Sequence, residues 1–230
     1  MDVALVTGAS RGFGLALARE LHRRGSHLLV DGRDPERLEA AAAEIGPTRI
    51  TALAGDVGDP EHRADLAAAA HRLGRLDLLV NNASILGPSP LPRLERYPIA
   101  DLEEVYRVNT VAPLALIQGL LPLLVASSGA IVNVTSDAAR EPYEGWGGYG
   151  SSKAALDQLG NVLGAEEPDV RVYTFDPGDM RTQMQQDAYP GEDISDRPPP
   201  EESVPGLLAL IEGSRPSGRY RAADLVAAAP

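Results

Sequence analysis

The chain has 230 residues, a formal charge of −12, 43% apolar and 23% charged residues and no cysteine, a balance typical of soluble globular proteins. The missing cysteines exclude a disulfide framework, thiolate catalysis and cysteine-ligated metal; no metal site is expected, and a reducing compartment, the cytoplasm, is the natural location. The acidic balance opposes binding to nucleic acid and to anionic membranes, so an anionic ligand needs a local positive site, and neither a basic leader nor a membrane span is expected.

Short apolar runs alternate with amphipathic stretches and no fixed-period repeat interrupts them. Strands are expected over 3–6, 27–30, 50–54, 76–80, 130–134 and 171–175, and helices over 12–24, 35–45, 61–73, 101–124 and 149–164. The strands are apolar throughout, as strands covered on both faces are. Strand, helix, strand at this spacing implies right-handed crossovers and a doubly wound parallel α/β sheet, Rossmann-like, in one domain spanning 1–230. From Asp179 to residue 205 the composition turns to Pro, Asp, Glu and Gly, including Pro198, Pro199 and Pro200. That stretch is either a lid over a site or a surface excursion. A helix over 203–211 and a strand near 219–222 complete the sheet.

The first chemical signal is TGASRGFG at 7–14, directly after the first strand and opening the first helix. Gly8, Gly12 and Gly14 let the backbone turn and approach a ligand, and free N–H groups at the helix start favour a phosphate. A glycine cluster alone is compatible with a plain tight turn; its place after the first strand of a doubly wound sheet points to dinucleotide binding by Gly8, Ser10, Arg11, Gly12, Phe13 and Gly14. The second signal is YGSSK at 149–153, which holds the chain's single lysine among 21 basic residues. Tyr149 and Lys153 are four apart on an expected helix, hence on one face. A phenol titrates near pH ~10, and a fixed ammonium beside it favours the phenolate.

The spacing Gly-x-x-x-Gly-x-Gly together with YGSSK resembles the short-chain dehydrogenase/reductase family, and the resemblance covers nearly the whole chain. Asp56-Val57 after the third strand is similar to the pair that the family sets against the adenine ring. Asn81-Asn82-Ala83 is similar to its Asn-Asn-Ala-Gly turn, with Ser84 in place of the usual glycine. Val108-Asn109 matches the helix that carries the family's active-site asparagine, and Ser136 lies thirteen residues before Tyr149, the family's interval. Pro177-Gly178 with Thr182 matches the turn that holds the nicotinamide carboxamide. Each has a plainer reading too: Asn81 and Asn82 as bridges at a strand end, Ser136 as a helix cap, Asn109 as a bond to a neighbouring turn.

The resemblance implies roles. Tyr149 protonates the carbonyl oxygen during reduction, Ser136 hydrogen-bonds that oxygen, Lys153 holds the ribose hydroxyls and lowers the tyrosine pKa, and Asn109 positions a relay water. It also implies a small-molecule carbonyl or alcohol substrate and a homodimer or homotetramer through the helices at 101–124 and 149–164, with Ala154, Ala155, Leu156 and Leu159 on the contact face. In the family an aspartate closing the second strand accepts the ribose hydroxyls of NAD, and an arginine often follows where NADP is used. Here Gly32 holds the acidic position, Arg33 the basic one, and Arg11 can reach the same phosphate, which points to NADP(H) over NAD(H). Asp31 and Asp34 flank Arg33, and a carboxylate turned inward would repel that phosphate or pair with the arginine.

Arg140, Glu141, Tyr143, Trp146, Met180, Met184, Tyr189, Ile85 and Leu86 are expected around the substrate, or Trp146 and the methionines only pack the lid. The expected activity is an NADPH-dependent carbonyl reductase working by direct hydride transfer. An epimerase or dehydratase using the same Tyr-Lys pair, and a non-catalytic dinucleotide sensor, are the other classes open to such a chain.

Overall fold

The computed structural model describes residues 1–226; residues 227–230, which the 1–230 domain reading includes, lie outside the described residues. Seven strands, β1 (Val3–Val6), β2 (His27–Gly32), β3 (Ile50–Ala54), β4 (Leu78–Asn81), β5 (Ala130–Val134), β6 (Arg171–Asp176) and β7 (Gly218–Arg221), form one parallel sheet in the order β3-β2-β1-β4-β5-β6-β7. Side chains alternate across it. Ala4, Val6, Leu28, Val30, Val132, Tyr173 and Phe175 face one helical layer, made by α1 (Gly12–Arg23), α2 (Pro35–Ile45) and α8 (Val204–Glu212). Val3, Leu5, Leu29, Leu79, Ile131 and Val172 face the other, with α3 (Pro60–Leu73) and α5 (Ala112–Ala126). Both faces are thus covered, the condition under which an all-parallel sheet is stable.

Helix starts follow local chemistry. Asp34 and Asp59 cap α2 and α3, accepting from the amides of Arg37 and Glu61, and Pro35 and Pro60 hold the first helical positions. The cap position of α1, Arg11, offers no side-chain bond to the helix amides, and no acidic residue stands in its first turn. That helix start is left with donors for another acceptor.

The expected helix over 101–124 runs further and is broken. It spans α4 (Ile99–Tyr106), a π turn at Arg107–Val111 and α5. Pro113 has no N–H for the carbonyl four residues back, that of Asn109, and the ladder loosens there. The run Ile99–Ala126 has the length and hydropathy of a membrane span, but Leu116, Ile117, Leu120 and Leu124 are buried against the sheet, as in the core helix of a globular domain. The helix carrying YGSSK, α6 (Gly147–Glu166), begins two residues before Tyr149. Leu156, expected on an outer contact face, is buried within the chain itself, because α6 turns that side to the fold. Two short helices were not foreseen: α7 (Gln183–Ala188), within 179–205, and α9 (Ala222–Val226) after the last strand. Five or six residues carry too little periodicity to register in a sequence.

One buried ion network ties the sheet to α6. On β7, Arg219 donates to Asp176 at the end of β6 (2.9 Å), to Asp157 on α6 (3.1 Å) and to the backbone carbonyl of Ser136 after β5 (3.0 Å). All three side chains are about nine-tenths buried or more. Arg219→Ala strands two buried carboxylates, so unfolding free energy should fall by about 3–5 kcal/mol, read as an earlier denaturant midpoint. Arg219→Lys should recover part of it.

Candidate functional site

A cleft of about 1040 Å³ runs along the carboxyl ends of the strands, across the β1–β4 boundary where the strand order reverses, the place where doubly wound sheets bind ligands. Its first half is built on the 7–14 loop. Gly8 has φ +66°, and a Cβ there would stand 2.9 Å from the Cα of Ala83; a Cβ on Gly14 would stand 2.5 Å from both the Gly8 carbonyl oxygen and the Asn82 amide. Asn82 closes this contact by donating its side-chain amide to the carbonyls of Thr7 (2.8 Å) and Gly8 (3.2 Å), while Thr7 Oγ1 accepts from the amides of Asn82 and Ala83. Asn81, one residue earlier, bridges β4 to β5 by donating to Asn133. The plain structural role of these asparagines and the shape of the loop are therefore one thing: the turn after β4 fixes the loop after β1.

Charge along this half is unevenly paired. Asp31 is buried, accepting from the Gly8 amide and lying 3.3 Å from His62. Asp34 caps α2 and stands beside Arg37 at 3.8 Å. Neither engages Arg33. Among the described residues Arg33 and Arg11 have no ion-pair partner, and both line the cleft. Asp56 accepts from the Gly58 amide (2.8 Å) and from Arg107 (2.9 Å); burial pulls its carboxyl upward, but these two donors hold it below the usual range. Arg107 also pairs with Glu104. Val57 is buried beside them.

The second half gathers Ser136, Tyr149, Lys153 and Asn109. Lys153, 1% exposed, donates to the Val134 carbonyl at 2.8 Å and lies 5.6 Å from the centre of the Tyr149 ring. Burial lowers its pKa to about 8, against an opposing pull from Asp157. Burial likewise pushes the Tyr149 phenol well above its ordinary value; the Ser84 hydroxyl opposes this, and Asp176 and Asp137 add to it. Burial thus favours the neutral phenol, against the direction in which the resemblance has the ammonium act. Ser136 does cap the turn Asp137–Ala139, accepting from the Ala138 amide, and donates to Asp137 Oδ1 at 3.0 Å. Asn109 is fully engaged: its oxygen accepts from Ile85 N (2.9 Å) and Ser84 Oγ (3.1 Å), and its amide donates to the Ile85 carbonyl (2.9 Å) and Ser152 Oγ (3.0 Å). It clamps the β4 turn to α6 through the residue just before Lys153.

Pro177 and Gly178 follow β6, with Gly178 at φ +78° and its amide donating to Asp176. Thr182 caps α7 and faces Gly12, whose Cβ would lie 3.5 Å from the threonine methyl. The lining includes Ile85, Tyr143, Trp146, Met180, Met184 and Tyr189, but not Arg140, Glu141 or Leu86. Leu86 packs beneath Tyr149 with Ala138 and Ala188 instead, and Arg140 and Glu141 point outward.

Comparison with known proteins now bears on the same residues. The model of the short chain dehydrogenases matches residues 2–193. The chain belongs to that family. It is similar to the sepiapterin reductase of Mus musculus, 37% identical over 199 residues that cover 80% of this chain and 76% of that one. The serine 3-dehydrogenase of Agrobacterium fabrum is 37% identical over 184 residues, 78% of this chain and 72% of that one. An alcohol dehydrogenase of Thermococcus sibiricus, solved with 5-hydroxy-NADP, superposes with a TM-score of 0.86 at 28% identity over 96% of this chain and 95% of its own. The family member described here is an NAD(P)-dependent oxidoreductase acting on CH–OH or C=O groups, and similar structures solved with NADP or 5-hydroxy-NADP favour NADP over NAD.

Fifteen of the sixteen cofactor positions expected from the sequence line this cleft, Gly14 being packed against Gly8 and Asn82 instead, and three of the four expected reaction-centre residues face it, with Asn109 behind them. Sequence reasoning missed Arg37, Asp137, Arg181 and Arg219. Asp137 had a signal, since it directly follows Ser136; the others have none, because their places depend on how separate elements meet. With Arg33 unpaired at the cleft, Arg33→Ala should weaken NADPH binding by roughly tenfold or more and NADH binding little, a charge-assisted contact being worth about 1.5–3 kcal/mol. Fluorescence titration with both cofactors reads the difference; equal weakening would place Arg33 away from the extra phosphate.

Proposed function

We propose that the chain is an NADPH-dependent carbonyl reductase, able to run in reverse as an alcohol dehydrogenase, with Ser136, Tyr149, Lys153 and Asn109 at its reaction centre. The observation that carries this reading is the convergence of a buried phenol, a buried ammonium and a serine hydroxyl on one wall of a cleft whose other end holds two unpaired guanidiniums. The residues present fit a phosphorylated dinucleotide. The uncapped start of α1 and the close-packed Gly8 and Gly14 suit the pyrophosphate, Arg11 and Arg33 the 2′-phosphate, Asp56-Val57 and Asn82-Ala83 the adenosine and central ribose regions, and Pro177, Gly178 and Thr182 the nicotinamide end.

When bound, the reduced nicotinamide supplies the hydride. The chain's part is the proton and the charge. A phenol whose pKa is raised by burial keeps its proton at neutral pH and is a donor to a carbonyl oxygen, the requirement in the reductive direction. Ser136 donates to the same oxygen as negative charge develops on it. Lys153, with a pKa of about 8, is still mostly charged near neutrality, close enough to stabilise the phenolate left behind. Asn109 contributes through position: its side chain is spent on Ile85, Ser84 and Ser152, and Pro113 withholds the usual donor from its carbonyl, which is therefore the acceptor available to a relay water.

Residues 179–205 serve as the substrate loop, with α7 bringing Met184 and Tyr189 against Trp146 and seating Ala188 beside Tyr149. A cytoplasmic homodimer or homotetramer through α5 and α6 fits the exposed Val111, Val125 and Val162.

Tyr149→Phe should lower turnover by ~10²- to 10⁴-fold with NADPH affinity nearly unchanged. A variant keeping more than about a tenth of the wild-type rate, only ~1.4 kcal/mol of barrier, would remove Tyr149 from the mechanism. Lys153→Arg should be nearly as damaging as Lys153→Ala: the ammonium lies buried against the Val134 carbonyl, and a guanidinium is wider and fixes its donors in a fork. Assays of folded Lys153→Arg protein that retain half the wild-type rate would show that either cation serves.

A further inference from the structure

We propose that the substrates of this site are carbonyl compounds, or the corresponding alcohols, that carry a protonated amine one or two bonds from the reacting carbon, with Asp137 as the residue that selects them. The inference rests on the reductase reading and deepens it.

Seven carboxylates line the cleft: Asp31, Asp34, Asp56, Asp137, Asp176, Asp179 and Glu201. Five have an arginine within 4 Å: Arg37 for Asp34, Arg107 for Asp56, Arg219 for Asp176, Arg197 for Asp179 and Arg19 for Glu201; Asp31, buried, faces the imidazole of His62 at 3.3 Å. Among the described residues Asp137 alone has neither. It is not remote from the chemistry. Its Oδ1 accepts from the hydroxyl of Ser136 at 3.0 Å and its Oδ2 from the hydroxyl of Tyr143 at 2.9 Å, so the carboxylate is oriented from both sides.

For a neutral ketone this placement is unfavourable. A fixed anion next to Ser136 draws that hydroxyl's proton toward itself and away from the substrate oxygen, and it repels the negative charge that develops there during hydride transfer. Burial is the main cause of the raised pKa of Tyr149, and the charges of Asp176 and Asp137 add to it. An ammonium on the substrate reverses the sign. Placed close to the carbonyl, it can donate to Asp137 while the carbonyl oxygen takes Ser136 and Tyr149, and its charge offsets both the carboxylate and the nascent alkoxide. The walls suit a cation with an apolar body. Trp146 lies edge-on to Tyr149 with ring centres 5.7 Å apart and tilted to Tyr189 at 6.1 Å, with Met180 and Met184 nearby; aromatic faces attract ammonium groups. The cations on this side of the cleft are engaged elsewhere: Lys153 donates to the Val134 carbonyl, and the exposed Arg181 reaches the Ser195 carbonyl, neither pairing with Asp137.

The test uses three phenyl ketones of one frame: 2-amino-1-phenylethanone at a pH where its amine is charged, propiophenone, and benzoylformate. NADPH consumption by wild type should favour the ammonium over the methyl ketone by at least about tenfold in kcat/KM, the scale of one charge-assisted contact, with the carboxylate poorest. Asp137→Asn keeps an oxygen acceptor for Ser136 and removes only the charge. It should bring the ammonium-to-methyl ratio to within about threefold. A wild-type ratio already within about threefold, or a ratio that Asp137→Asn leaves unaltered, would overturn the proposal and leave the reductase reading intact. Calorimetric binding of the same compounds to NADP⁺-loaded protein separates the two claims. Tighter ammonium binding that is lost in Asp137→Asn, with no NADPH consumption by any ketone, would overturn the reductase reading and support the amine site.

Discussion

A buried ammonium with one protein acceptor is the most demanding feature of this fold. Lys153 is 1% exposed and donates to the Val134 carbonyl alone among the described residues. Taking such a charge out of water is expensive unless it is well paired, and the depressed pKa of about 8 is that expense seen as proton affinity. The surroundings hold the lysine in place regardless. Ser152, its neighbour, accepts from Asn109, and the Ser152 carbonyl accepts from Thr110, both in the π turn of the preceding helix. Four residues further along α6, Asp157 is held by Arg219. The ammonium is therefore pinned from two directions by residues of neighbouring elements. A site with two spare donor positions on a fixed, desolvated cation is prepared for hydroxyl acceptors before any arrive.

The same preparation governs the other half of the cleft. A backbone can approach a pyrophosphate only where side chains are missing, and the distances at Gly8 and Gly14 leave no room for a methyl group against Ala83 and Asn82. Those glycines serve the packing of the β4 turn on the β1 loop as much as any ligand. Asp31, buried under the loop and accepting from the Gly8 amide, completes this support. The carboxylate that could have repelled a phosphate next to Arg33 is instead used to shape the phosphate's binding loop.

Much of this was legible in the sequence because it is local or periodic. Apolar runs of four or five residues marked the strands to within two residues at each end, and the helices expected over 35–45 and 61–73 start within one residue of their observed places. Tyr149 and Lys153 could be placed on one face from spacing alone. The break at Arg107–Val111 was not foreseen, although Pro113 signals it, because an apolar pattern runs unbroken across the turn. Leu156 was assigned to an outer face because α6 is apolar on more than one side, and only packing shows which side the fold takes. Arg219 was out of reach altogether: it meets Asp157 and Asp176 across 62 and 43 residues of chain. The phenol's acidity was read from one neighbour, whereas burial, a property of the whole fold, decides it.

Pairing supplies a way to read the cleft that composition cannot. In a chain of net charge −12, a carboxylate without a cation is unremarkable on the surface, where water screens it. Inside a cleft it is an imbalance that the fold has left standing while neutralising its neighbours. At one end the imbalance is positive, at Arg11 and Arg33, and a phosphate answers it. At the other it is negative, at Asp137, beside the hydroxyl that must receive a developing anion. Paired charges such as Arg219 with Asp176, or Arg107 with Asp56, are spent on holding elements together and say little about ligands. The unpaired ones keep more of their field for whatever enters, so the two ends of one cleft differ in sign, which supports the proposed phosphorylated cofactor at one and the proposed cationic substrate at the other.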